Sequence, residues 1–406
     1  MVTFVGAATL GVTTLALANG PKTMTDNSAN MLLTPSTLPF QAPPFDKIKD
    51  SDYMPAFEAG IKQQLAEVQK IADDPAVPSF DNTLVALEKS GQLLTRVGRV
   101  FNGVSSANTD DALQKVQEDI APKLAAQQDA IFLNDKLFKR VEAIYNQRDR
   151  LKLDPESHRL VEYYYQQFVL AGAKLSDADK TKLKKLNEEE ATLTAQFVNK
   201  LLAATKAGAL VVDNKAALAG LSDSQIEAAA QAADARGLKG KWVIPLQNTT
   251  QQPDLGSLTD RATREKLFEA SWNRAEHGDA NDTRATIERI AQMRAEEAKL
   301  LGYPDYAAWK LQDQMAKTPA AVEGFLGKLV PAATARATRE AAAIQQVIDK
   351  DGGKFKLQPW DWNFYAEQVR KAKYDLDESE IKPYFELNRV LQDGVFYAAN
   401  QLYGLT

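Results

Sequence analysis

The residue types that most often carry out chemistry are scarce in this chain of 406 residues. It contains no cysteine and only two histidines, His158 and His277, which lie far apart in the sequence. The lack of cysteine excludes disulfides, thiolate catalysis and cysteine-ligated zinc or iron–sulfur sites. Neither histidine has a second histidine three or four residues away, so the sequence contains no H-E-x-x-H helix for binding zinc.

Two groups of neighbouring glutamates could in principle supply acid–base chemistry. They are residues 188–190, which are all glutamate, and the pair Glu296 and Glu297. Both groups lie in helical patterns rich in lysine and arginine, where charged residues usually form a solvated face. We therefore expect both groups to be solvated. We also expect His158 at the surface near a helix start, and His277 near a helix end, where a cation suits the helix dipole.

An aromatic segment, residues 359–365 (PWDWNFY), offers the strongest candidates for substrate contacts. Trp360 and Trp362 flank Asp361, whose side chain is suited to cap the following helix. Aromatic residues at such spacing more often fill a core between helices. The alternative is that Trp360, Trp362 and Tyr365 line a substrate channel. Later aromatic residues pose the same choice: Tyr374, Tyr384, Phe385, Phe396, Tyr397 and Tyr403.

The elements that would position these residues are predominantly helical. The chain is 44% hydrophobic and 25% charged, which is typical of soluble globular proteins. From residue 38 onward, apolar residues recur at helical spacing, which predicts a mainly α, multi-helix fold. One helix is expected to run from Phe80 through Val100. Two short β-branched runs around a helix at 222–235 predict a minor short-strand element near residues 209–246.

The domain prediction divides the helical part at residue 250. Residues 38–250 would form a first helical subdomain, and residues 251–406 a second one that leads into a catalytic region absent from this sequence. The net charge is -5, without the excess of lysine and arginine that is typical of nucleic-acid-binding proteins, so no nucleic-acid partner is expected.

The N-terminus has the composition of an export signal but lacks one of its features. Residues 1–18 are apolar or small, and the run ends in a small-x-small triplet at Ala16 to Ala18. No lysine or arginine precedes the run, so a mere hydrophobic extension is the alternative. The protein would be periplasmic in the first case and cytoplasmic in the second. The run is too short for a stable membrane span, and residues 19–37 are predicted to be a linker.

Several blocks of the sequence resemble the M3 family of zinc metallopeptidases, and within it the bacterial peptidyl-dipeptidase branch. The resemblance extends from about residue 38 to residue 405. The matching blocks are residues 83–97, 168–173, 248–253, 260–275, 300–303 (LLGY), 306–309 (YAAW), 315–319 (MAKTP), 359–365 and 382–391.

The resemblance implies a largely helical, clam-shaped enzyme with a deep channel between two halves. Such enzymes bind one zinc through an H-E-x-x-H helix, and that branch releases dipeptides from the C-termini of oligopeptides. This sequence departs from the family at the decisive place, because it has neither that helix nor the third zinc ligand. The resemblance therefore assigns no catalytic, cofactor-binding or metal-ligating residue here, and zinc is expected only in the complete enzyme.

Three functional hypotheses follow from these patterns. The preferred one is the N-terminal, non-catalytic part of a peptidyl-dipeptidase-like metallopeptidase, since the chain stops after Gly404 within an apolar pattern. Its partners would be an oligopeptide substrate in the complete enzyme, the missing catalytic half, or chaperones that bind exposed apolar surface. The alternative is a stand-alone helical module that binds peptides or proteins. An enzyme with metal-free chemistry is disfavoured, because no nucleophile motif is present.

Overall fold

The computed structural model describes residues 30–249, 251–375 and 378–406, and these residues are mainly helical, as predicted. Residues 1–18 and most of the predicted linker lie outside the described residues. The end of that linker is held in place, because Leu32 is buried and the Asn30 side chain donates a hydrogen bond to the carbonyl of Asp52. No helix in the described ranges is both long and apolar enough to cross a membrane.

The longer helices begin where the sequence supplies caps for the first backbone N–H groups. Ser222 and Asp260, for example, accept hydrogen bonds from backbone N–H groups in the first turn of the helices that follow them. The helices are α1 (Asp50–Ala72), α2 (Ala86–Glu88), α3 (Gln92–Ala107), α4 (Asp111–Phe132), α5 (Asp135–Tyr145), α6 (Pro155–Leu170), α7 (Asp177–Ala207), α8 (Asp223–Asp234), α9 (Arg261–Trp272), α10 (Arg284–Leu300), α11 (Tyr306–Lys310), α12 (Pro319–Lys350), α13 (Trp362–Tyr374), α14 (Glu378–Ile381), α15 (Leu387–Arg389) and α16 (Tyr397–Tyr403).

The single helix predicted from Phe80 through Val100 is wrong. The segment Phe80–Val85 is a π-helical turn that leads into the short α2, and α3 then starts afresh after Gly91. Gly91 has a φ of 71°, a left-handed conformation that glycine adopts without steric cost. The hydrophobic pattern continues across the break, which is why spacing alone did not reveal it.

The described chain divides into two compact units. The first, called unit 1, comprises the described part of Met1–Ala204 together with Ala275–Gly324. Its helices pack around two buried apolar clusters, one built on the N-terminal half of α1 with α3 and α4, the other on the end of α1 with α5 and α6. Helices α1 and α3 approach closely at Gly60, where a Cβ atom would lie 2.9 Å from the Leu94 Cα.

The second unit, unit 2, comprises Thr205–Arg274 and Phe325–Thr406. It contains the predicted short strands, β1 (Leu210–Val212) and β2 (Trp242–Ile244), paired antiparallel with Val211 opposite Val243. Helix α8 packs on β2, and Leu258 and Leu267 complete the core beside the sheet. The predicted division at residue 250 is not tested by this arrangement and stays a prediction.

Candidate functional site

The two histidines lie at the surface, as predicted, and each is separate from the other titratable clusters described below. His158, in the first turns of α6, is half-buried, and its Nε2 lies 3.2 Å from the Asp149 carboxylate. His277 is exposed and follows the end of α9. Within the described ranges, no three histidine, aspartate or glutamate side chains are grouped so that they could hold a metal ion. The described residues therefore do not fit a zinc centre.

The three predicted channel residues come together in unit 2, at the start of α13. Tyr365 is buried against Ile344 and Ile348 of α12, and Trp362 packs at the edge of the same cluster. Trp360 is half-buried, with its ring centre 6.2 Å from that of Phe268. Core packing accounts for Tyr365, whereas Trp360 and Trp362 keep exposed surface. The role of all three residues in lining a channel stays a prediction.

Asp361, which lies between the two tryptophans, is not the side-chain cap of α13 that the sequence predicted. Its carboxylate is fully buried and accepts hydrogen bonds from Arg261 Nε at 3.0 Å and Nη2 at 2.9 Å, and from Arg264 Nη2 at 3.1 Å. It also accepts a bond from the backbone N–H of Gln358, so it caps the turn before α13 instead. We call Arg261, Arg264 and Asp361 the Asp361 cluster.

The aromatic residues enclose the arginines of the Asp361 cluster. The Arg261 guanidinium lies 4.2 Å from the ring centre of Phe355, and that of Arg264 lies 4.2 Å from the ring centre of Phe364. A guanidinium over an aromatic face is attracted by the ring quadrupole, and more strongly where water is excluded. The hydrogen bonds to Asp361 raise the pKa of Arg261 above its ordinary value. The cluster therefore holds fixed, compensated charges, which suits it to positioning the aromatic segment.

Sequence reasoning missed both arginines of this cluster. Arg261 and Arg264 lie three residues apart on α9, so they share a helix face. The sequence features that could have indicated the cluster were this pair of arginines and an acid between two tryptophans. Nothing local indicates that the two segments, about 100 residues apart, meet.

A second cluster, in unit 1, contains a glutamate that was expected to be solvated and is buried instead. Glu297 of α10 is 1% exposed and faces Glu190 of α7, so the expectation that both glutamate groups are solvated is wrong for Glu297. Burial, followed by the charge of Glu190 and a hydrogen bond to it, raises the pKa of Glu297 to about 8. Glu190 itself accepts a hydrogen bond from Arg294 Nε at 2.7 Å. We call Glu190 and Glu297 the glutamate pair.

Unit 2 also exposes large apolar side chains. Phe325, Leu326, Leu329 and Val330 share one face of α12, and between 50% and 63% of each is exposed. The later aromatic residues for which the sequence left the choice open are exposed as well: Tyr374, Tyr384, Phe385, Phe396, Tyr397 and Tyr403. Exposed apolar surface on this scale is typical of faces that contact another protein segment.

Comparison with known proteins gives a consistent result. Residues 255–406 match the model of peptidase family M3. The chain is 57% identical to the dipeptidyl carboxypeptidase of Escherichia coli (strain K12) over 376 residues, which is 93% of this chain and 55% of that protein. It is 30% identical to organellar oligopeptidase A of Arabidopsis thaliana over 374 residues, covering 90% of this chain and 47% of that protein. The chain spans about half the length of the curated relatives it matches.

Proposed function

The chain belongs to peptidase family M3, and we propose that it supplies the N-terminal, non-catalytic part of a peptidyl-dipeptidase-like zinc metallopeptidase. The complete enzyme would release C-terminal dipeptides from oligopeptides. The observation that carries the proposal is the 57% identity to a dipeptidyl carboxypeptidase over 93% of this chain. The non-catalytic assignment rests on the absence of an H-E-x-x-H segment from these 406 residues.

In this proposal the Asp361 cluster is a support for a wall of the peptide channel. Charge-assisted hydrogen bonds from two arginines fix Asp361, and the neighbouring Trp360 and Trp362 are thereby held at the start of α13. Rigid aromatic side chains offer a large contact area to a peptide at low cost in conformational entropy. Zinc would be held by residues outside this chain, because the described residues do not fit it. No metal-dependent step is therefore assigned to this chain.

The exposed apolar face of α12 supports the same proposal, because apolar surface of this kind is usually buried against another protein segment. If the remainder of the enzyme covers Phe325, Leu326, Leu329 and Val330, the isolated chain leaves them in water. We expect the isolated chain to form oligomers or to copurify with chaperones. A monodisperse monomer that binds no hydrophobic dye would count against this role.

A chimera tests the proposed activity directly. This chain would replace the aligned 55% of the Escherichia coli dipeptidyl carboxypeptidase, leaving the rest of that protein unchanged. We expect the chimera to release dipeptides from a peptide with a free C-terminus, and the present chain alone to release none. Mass spectrometry of the products distinguishes dipeptide release from internal cleavage.

The outcomes of this experiment separate the hypotheses. A chimera that shows a native helical circular dichroism spectrum but no hydrolysis would overturn the proposal. Cleavage by the present chain alone, surviving a chelator, would overturn the non-catalytic assignment. The matched substrate control is the same peptide with an amidated C-terminus, which an enzyme that requires a free carboxylate should leave intact.

The alternative function is a helical binding module, and the half-exposed Trp360 and Trp362 favour it as a possible peptide contact. Titration of the present chain with short peptides, followed by tryptophan fluorescence, would reveal such binding. Saturable binding by a monomer, together with an inactive chimera, would favour this alternative. The compartment depends on whether residues 1–18 act as a signal peptide, and N-terminal sequencing of the mature protein would decide between periplasm and cytoplasm.

A further inference from the structure

Two acidic side chains face each other in unit 1, although both cannot be charged without repulsion. The Glu297 Oε1 atom is enclosed by protein and has no hydrogen-bond donor among the described residues. Arg294, one turn before Glu297 on α10, donates to Glu190 of α7, so Glu190 lies beside the face of α10 that carries Glu297. Ionised carboxylates only accept hydrogen bonds, so a bond between two carboxyl groups requires that one carry a proton.

The surrounding cations compensate Glu190 through a hydrogen bond, and they compensate Glu297 only in part. Arg294, on α10, donates to Glu190 from Nε at 2.7 Å. From α11, Tyr306 and Lys310 face the pair, and the Lys310 Nζ lies 3.7 Å from the ring centre of Trp309. The charges of Lys310 and Arg294 lower the pKa of Glu297, but by less than burial and Glu190 raise it. A carboxylate at Glu297 would thus be buried beside Glu190, with no donor to its Oε1 atom among the described residues.

We propose that the glutamate pair is a proton-carrying clasp between α7 and α10, in which Glu297 donates a hydrogen bond to Glu190, and that loss of this proton at alkaline pH loosens α10 from α7. The ligand of this site is the proton itself. The clasp lies in unit 1 and is separate from the Asp361 cluster, so it is independent of the proposed peptidase function.

The direction of the pH effect follows from the two states of Glu297. Its ordinary pKa is 4.5, whereas burial beside Glu190 raises the pKa in the folded chain to about 8. The clasp therefore contributes its full stability below pH 4.5. As the pH rises from 4.5 to about 8, the unfolded chain releases the proton and the folded chain does not, so the folded state loses stability across this window.

Carboxyl titration of the full chain tests the proton of the clasp directly. The chain would be labelled with 13C at the glutamate carboxyl groups and its NMR spectrum followed from pH 4 to pH 9. We expect one carboxyl signal with a midpoint near pH 8, absent from the Glu297→Gln variant. If every glutamate signal has its midpoint below pH 5.5, the proposal is overturned.

Unfolding of paired variants tests what the proton does for the two helices. Gln at position 297 keeps a hydrogen-bond donor at every pH, so we expect the unfolding constant of the wild type to rise, relative to Glu297→Gln, by up to tenfold per pH unit between pH 5 and pH 8. The matched control is Glu296→Gln, since Glu296 is the exposed neighbour on the same helix. Equal pH dependence of the wild type and Glu297→Gln would overturn the clasp.

Hydrogen exchange locates the loosening on the two helices. Between pH 7 and pH 9, after correction for intrinsic exchange rates, we expect amides of α10 and the middle of α7 to lose protection in the wild type only. Protection that is unchanged in both helices, or lost evenly over all of unit 1, would overturn the proposed local release.

Discussion

Two sites, one in each unit, bury acidic side chains in opposite ways. In unit 2, Asp361 is 0% exposed and remains bound to two arginines, one of which, Arg264, is itself 1% exposed. In unit 1, Glu297 faces another acid, and Asp129 is bonded to the neutral amide of Asn187 at 2.7 Å. The arrangement at Asp361 surrounds the acid with positive charge, whereas the arrangements at Glu297 and Asp129 favour the neutral form of the acid.

This difference determines how each site responds to mutation and to pH. A buried ion pair depends on both partners, because removing one leaves an uncompensated charge in a medium of low dielectric constant. A buried acid without countercharge adjusts by holding its proton, at a cost that grows as the pH rises. The Asp361 cluster should therefore be sensitive to loss of a partner, and the buried acids Glu297 and Asp129 to a rising pH.

The largest effect is expected from breaking the Asp361 cluster. Asp361→Ala leaves Arg264 buried without its carboxylate, which should cost about 3–5 kcal/mol of the free energy of unfolding. Urea unfolding followed by tryptophan fluorescence would measure it, since Trp360 and Trp362 flank the site. Asp351→Ala is the control, because Asp351 is an exposed acid in the turn after α12. A loss as small as that of the control would show that the cluster does not hold the aromatic segment.

A smaller, pH-dependent effect is expected at Asp129. Burial raises its pKa from 3.8 to about 6, so the wild type should lose stability relative to Asp129→Asn as the pH rises through this window. The relative loss should approach about 3 kcal/mol at pH 7, from about 1.4 kcal/mol per pKa unit over the rise from 3.8 to about 6. Thermal unfolding at pH 4 and pH 7 would measure it, with Asp111→Asn as control, because Asp111 is an exposed acid at the start of the same helix. Parallel behaviour of the two variants would contradict the prediction.

The smallest effect is expected where unit 1 pairs its charges at the surface. Arg289 donates to both carboxylate oxygens of Glu189, at 2.7 and 2.8 Å, and lowers the pKa of Glu189. Because a lowered pKa favours the charged acid, this pair stabilises the fold at neutral pH and loses its effect as the pH falls through the pKa of Glu189. Exposed pairs contribute little. Arg289→Ala should therefore shift the midpoint of urea unfolding by an amount near the detection limit. A loss of stability as large as that of Asp361→Ala would show that the exposed pair and the buried cluster do not differ.

Features that depend on neighbouring residues could be predicted from the sequence. The helix start at Ser176 and the short strands on either side of α8 were both predicted, because capping groups and β-branched runs act over a few residues. The break at Gly91 was missed, since the apolar spacing before and after it continues in phase. The candidate residues Trp360, Trp362 and Tyr365 were found from their density alone.

The buried charges could not be predicted in the same way. Asp361 was predicted to be a helix cap because an acid before a helix usually is one, and the sequence does not show that α9 brings Arg261 and Arg264 to it. Glu296 and Glu297 are adjacent and chemically identical, yet one is exposed and the other is 1% exposed. Which of them faces α7 depends on the rotation of α10 in its packing.

The sequence by itself determined the family, the mainly helical fold, the lack of an H-E-x-x-H site in these residues and most helix starts. These properties depend on residue identity and short-range spacing, which remain the same in any conformation. Only the tertiary structure decided which acids are buried and whether each meets an arginine, an amide or another acid. The electrostatic energy of a carboxylate depends on its distance to partners and to water, and packing sets both distances between segments that are remote in the chain.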